Sequence, residues 1–173
     1  MRNLSKIKIL FLLFIAGWLL SSCKFSYSFT GSSIDYSKVS SISIKDFPNL
    51  APLTYAPLSQ QFSEALRDKY TRQTKLQVLR EGGDFDLEGE IKGYNLTSMA
   101  VTDGAYASQT RLTITVNVRF TNNTNPEEDF EKSYSAYQEF SNDNTIDQVQ
   151  DDLCKLIIDE IVDLIFNETA ANW

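Results

Sequence analysis

The chain has 173 residues, carries 23 acidic against 16 basic side chains and contains no histidine. That acidic balance argues against nucleic acid as a partner, because phosphate binding calls for clustered Lys and Arg. Without histidine there is no Ser-His-Asp triad, no Cys-His pair and none of the common His-bearing zinc sites, so neither an enzyme of those classes nor a metal cofactor is expected.

At the amino end, Arg2, Lys6 and Lys8 precede an apolar run from Ile9 to Leu20. This is the grammar of a cleaved signal peptide, and about a dozen apolar residues are too few to cross a bilayer as a helix. Leu-Ser-Ser-Cys at 20–23 resembles the lipobox of bacterial lipoproteins. The resemblance implies cleavage after residue 22 and acylation of Cys23, so a covalent lipid takes the place of any cofactor. The bare alternative is ordinary secretory cleavage that leaves a free cysteine. Several acyl chains anchor stably where one myristoyl chain would be marginal. Lys24 stands where lipoproteins retained in the inner membrane often carry Asp, which favours the outer membrane, and no acidic run follows Cys23, so the body is expected on the periplasmic side. Residues 1–22 are thus read as the signal, 23–36 as the lipidated end and tether, and 37–173 as one domain. Removing the signal leaves about 150 residues, enough for a single compact core. With Cys23 acylated, Cys154 has no intramolecular partner; it falls within an apolar helical pattern, where a free cysteine behaves as a small hydrophobe.

Ile42 and Ile44 alternate with Ser within Val39 to Phe47, which predicts a strand. Pro57 then opens a helix with Leu58, Phe62, Ala65, Leu66 and Tyr70 on one stripe, reaching about Thr71. Residues 76–79 form a short strand or lead-in, and "REGGD" turns the chain. Three long runs follow. Phe85, Leu87, Gly89, Ile91 and Gly93 alternate with Asp86, Glu88, Glu90 and Lys92. In "RLTITVNVRF" the set Leu112 to Phe120 opposes the set Arg111 to Arg119, and the aromatic-rich run from Phe130 to Phe140 follows a hairpin loop with Asn and Pro. A sheet of this pattern has one dry and one wet face. Thr145 and Gln148 have capping-box spacing, and Val149, Leu153, Leu156, Ile157, Ile161, Leu164 and Ile165 mark a last helix of about twenty residues. The order predicts an α+β two-layer sandwich, two α-helices on one face of a four-stranded, mainly antiparallel sheet.

Read in order, "YSFTGSSI", "ISIKDFPNLAP", "LSQQFSEALRDKY", "GDFDLEGEIKGY", "RLTITVNVRFTN" and "ANW" resemble the LPS-assembly lipoprotein LptE family, across most of the chain after the signal. The resemblance implies an α+β fold and a non-enzymatic role: a lipoprotein that plugs the outer-membrane β-barrel LptD, forms a heterodimer with it, assists its assembly and takes part in lipopolysaccharide transport to the outer leaflet. Only Cys23 carries over residue by residue.

Two sets of residues become candidates for contacts. Lys92, Arg111, Arg119 and Lys132 are the basic groups suited to lipopolysaccharide phosphate or to a partner; Lys132 sits with the inward set and is the weaker member. Met99, Val101 and Tyr106 belong to an apolar hairpin loop that would meet the barrel wall or fold back on the domain. A surface or periplasmic glycan-binding lipoprotein and an accessory lipoprotein of a transporter remain the rival readings. The acidic run Asp84, Asp86, Glu88 and Glu90 could in principle supply paired carboxylates for glycoside hydrolysis, but at alternate strand positions it reads as a solvated face.

Overall fold

The computed structural model describes residues 34–53, 55–99 and 108–171. Cys23, Val101 and Tyr106 lie outside them. A five-stranded sheet is formed by β1 (Ser41–Ile44), β2 (Gln77–Leu79), β3 (Phe85–Ser98), β4 (Gln109–Asn122) and β5 (Phe130–Ser141), in the order β2-β1-β3-β4-β5. Two helices, α1 (Leu58–Gln73) and α2 (Ile146–Phe166), complete the α+β fold. The sheet is mixed: β1 runs parallel to both β2 and β3, whereas β3, β4 and β5 are antiparallel neighbours. The sheet thus has five strands in mixed pairing where the sequence order predicts four, mainly antiparallel. Residues 77–79 are too few to show a period, and only the βαβ crossover through α1 places them beside β1.

The step from β2 back to β3 is made in five residues, and it crosses β1 closely. A Cβ at Gly83 would fall 2.4 Å from the Ser43 nitrogen and 2.8 Å from the Ile42 carbonyl carbon, so only glycine fits there. Asp84 then locks the crossing. Its carboxylate accepts the backbone N–H groups of Ser40 (2.8 Å) and Ser41 (3.1 Å) and both serine hydroxyls (2.9 Å each).

From this point the alternation read in the sequence becomes geometry. Leu87, Ile91, Leu112, Ile114, Val116, Val118 and Phe120 are fully buried against Leu58, Phe62, Leu66 and Tyr70 of α1 and Ile157, Ile161 and Ile165 of α2. Gly89 belongs to the inward set because Phe47 takes its space; a Cβ there would lie 2.5 Å from the Phe47 ring. The register shifts between Ile91 and Gly93, which turns Tyr94 inward where simple alternation placed Gly93. The capping box of Thr145 and Gln148 forms as the spacing predicted. Two members of the α2 stripe do not reach the core. Leu156 and Leu164 stay exposed, and Cys154, Ile158, Val162 and Phe166 are buried, because α2 turns its stripe toward α1 as well as the sheet. The helices meet at Tyr70 and Phe166, 5.2 Å apart and edge-on, beside a Tyr70–Thr169 hydrogen bond.

Two tests follow from the crossover. Gly83→Ala is expected to lower stability by about 1–3 kcal/mol, read from the urea midpoint, because backbone must move to admit the methyl group. The Asp84 carboxyl is held below its ordinary range, chiefly by the Ser40 N–H and then by the Ser40 and Ser41 hydroxyls. A depressed folded pKa gives stability that is present above the unfolded value and lost as pH falls through the folded one. Asp84→Asn should thus have a lower urea midpoint than the parent at pH 7, with the gap closing below about pH 4.

Candidate functional site: the polar face of the sheet

The face away from the helices presents Lys45, Glu88, Glu90, Arg111, Asn117, Arg119, Glu131 and Glu139 from four strands or their ends. Cross-strand register sets each neighbour. Arg119 stands opposite Glu88 on one side and Glu131 on the other, and reaches them at 3.3 Å and 3.0 Å. Lys45, just past the end of β1, closes on Glu88 at 2.6 Å. Arg111 pairs with its opposite residue Glu139 at 2.6 Å while stacking 4.0 Å over the Tyr137 ring. Asn117 donates to Glu131 at 2.8 Å, and Thr115 shares a hydrogen bond with Ser135. Together these make a continuous lattice of neutralised charge.

The four candidate cations are split between the two faces, and each already meets a carboxylate. Arg111 and Arg119 share the polar face, and Lys92, at the β3 irregularity, bonds Glu90 there at 3.1 Å. Lys132 lies on the helix side with Tyr134, where both contact Glu168. Burial opposes ionisation of Glu168, yet Lys132 and Tyr134 hold its carboxyl below the usual range. A phosphate arriving at any of the four has to displace a built-in carboxylate. Met99 is half-buried, its N–H bonded to the Gln109 carbonyl at 2.8 Å at the base of the hairpin.

The sequence reading missed Lys45, Glu88 and Glu131 as counter-ions. Glu131 could have been found from the β4–β5 hairpin, but Lys45 and Glu88 meet only through the parallel β1–β3 register. Cys154 is buried, and desolvation pushes its thiol up to about 11, so it is an inert packing group. Asp84, Asp86, Glu88 and Glu90 do not converge: Asp84 binds Ser40 and Ser41, Asp86 meets Ser43, and Glu88 meets Lys45. Among the described residues, no group of three or more Cys, Asp or Glu is placed to hold a metal, and no helix is long and apolar enough to cross a membrane.

The lattice has a measurable order of strengths. Glu88 is held low first by its hydrogen bond from Lys45, and Glu131 first by Asn117 and then Arg119. By carboxyl NMR titration, Lys45→Gln should raise the Glu88 pKa more than Arg119→Gln does, and Arg119→Gln should also raise that of Glu131. Because these pairs are exposed, the Arg119→Gln stability change is expected below about 1 kcal/mol.

No curated protein sequence matches the chain. Solved structures of similar fold include a neuraminyllactose-binding hemagglutinin homolog from Helicobacter pylori (8% identity, 76% of this chain and 83% of that one, TM-score 0.52). They also include rare lipoprotein B from Shewanella oneidensis (14%, 73% and 89%, 0.47) and a minor lipoprotein from Acinetobacter baumannii (16%, 72% and 91%, 0.41). The family model for lipopolysaccharide assembly, LptE, matches residues 39–169, from just before β1 through the end of α2 to Thr169. The chain belongs to the LptE lipopolysaccharide-assembly family.

Proposed function

We propose that the protein is an outer-membrane lipoprotein, anchored through acylated Cys23, that occupies the lumen of an LptD-like β-barrel and takes part in moving lipopolysaccharide to the outer leaflet. The observation that carries this reading is the family match across nearly the whole folded domain. The physical surface supports it. A large barrel has a polar, water-filled interior, and a sheet face whose charges are already paired within the domain can lie against such a wall without stranding an ion. At about 3.3 Å per residue, the fourteen residues of β3 make a strut of about 45 Å, longer than the roughly 30 Å hydrocarbon core it would pass through. The role is mechanical and non-catalytic: filling, guiding barrel assembly and shaping a path. Electrostatic capture of lipid A phosphates by Lys92, Arg111, Arg119 or Lys132 contributes little, because each already meets a carboxylate.

The test is a mild-detergent pull-down of the tagged full-length protein from its own outer membranes. A large β-barrel in near one-to-one amount is expected, and Cys23→Ala should move the protein to the soluble periplasmic fraction. Recovery of the protein from outer membranes with no barrel would overturn the plug reading in favour of a glycan-binding lipoprotein.

A further inference from the structure

Among the described residues the sheet has three stretches of open edge, and they differ in length and charge. β2 is only three residues long. β5 is twelve residues long and carries charge near both ends, Glu131 and Lys132 at one and Glu139 at the other, around the uncharged Ser133–Gln138. Short length and such charges are the usual means of keeping an edge from pairing with foreign strands. The third stretch is the part of β3 beyond Ile91. Up to Leu87 it is paired with β1, and Pro48, Asn49 and Leu50 continue that cover as far as Ile91. From Gly93 to Ser98 no described strand lies on that side, and Asn95 to Ser98 are exposed.

This stretch reads Gly-Tyr-Asn-Leu-Thr-Ser, with no charge and no proline. Exposed leucines accompany it. Leu50, bonded by its N–H to the Ile91 carbonyl where the cover ends, is 61% exposed, and Leu96 within the stretch is 39% exposed. Tyr94 bonds Gln150 of α2, so this end is fixed to the domain. The described chain begins at Ile34, near Phe85 and Asn122, at the other end of β3. Counted along β3 at about 3.3 Å per residue, this edge lies about 25–45 Å from Phe85, near which the described chain begins.

We propose that Gly93–Ser98 is a strand-addition site that takes an extended, uncharged segment of the β-barrel partner, with Leu50 and Leu96 receiving its apolar side chains. This rests on the plug reading. Open N–H and C=O groups beside apolar side chains are satisfied by polypeptide backbone, as in other cases of β-augmentation, whereas an acyl chain leaves them unpaired.

The experiment places the photocrosslinker p-benzoylphenylalanine at Asn95 or Thr97 of the full-length protein in its native membranes, followed by pull-down, and tests Thr97→Lys alongside. A crosslink to the barrel is expected, with severalfold less barrel recovered by Thr97→Lys, whose far-UV circular dichroism and melting temperature match the parent. Crosslinks to lipopolysaccharide alone, to residues 100–107 of the same chain, or to nothing while the barrel is still captured overturn the proposal. Crosslinks to a polypeptide other than a barrel sustain strand addition and overturn the plug reading instead.

Discussion

Everything in this fold depends on the antiparallel ladder between β3 and β4, paired from Phe85–Asn122 to Ser98–Thr110 with one register shift between Ile91 and Gly93. Because side chains alternate across a strand, the ladder sorts the sequence into two sheets of chemistry. One side is aliphatic and aromatic and can be dried only by helices; the other is an alternation of carboxylates, guanidiniums, amides and hydroxyls. A slip of one residue would exchange the two, burying Arg119 and Glu88 and exposing Phe120 and Leu87. Burial of apolar area fixes the register, and the register in turn determines which charges meet.

The polar face is consequently a product of the core. No single ion pair on it is worth much in water, yet the pairs are not independent, since Glu88 is shared by Lys45 and Arg119, and Arg119 by Glu88 and Glu131. What the lattice supplies is a surface with few unpaired charges despite its many ionisable groups. Such a surface presents no strong local field while remaining hydrated, which suits contact with a wet wall better than contact with lipid or with a highly charged ligand.

Periodicity made most of this legible beforehand. The ten-residue alternation from Arg111 to Phe120 gave β4 to within two residues at each end, and the capping box at Thr145 gave the start of α2 to the residue, because both signals are local. What stayed hidden was non-local. The short strand or lead-in read at 76–79 becomes a fifth member of the sheet because α1 returns the chain to β1, and the partner of Lys45 is set by a parallel register no single run encodes. The bulge near Gly93 could not be inferred from a pattern in which Gly93 fits the alternation, and Leu156 and Leu164 follow the helical period yet face water because two surfaces, not one, draw α2's apolar side. Of the candidate contact residues, the sequence located the basic ones on their strands but could not show that each has a carboxylate within reach.

The same ladder explains why one end of the molecule is open. β1 is four residues long and β3 fourteen, so cover from β1 and its extension must run out well before β3 ends. At the Phe85 end the crossover at Gly83 and Asp84 ties β3 to β1, with hydrogen bonds from four donors on one carboxylate. Among the described residues, the far end of β3 has β4 beside it and is tied to α2 by the Tyr94–Gln150 hydrogen bond. A domain that needed closure for its own stability would have lengthened β1 or placed a charge between Gly93 and Ser98, since either change costs little at an edge. An uncharged edge flanked by exposed leucines is instead the arrangement expected where pairing with another chain is part of the protein's work.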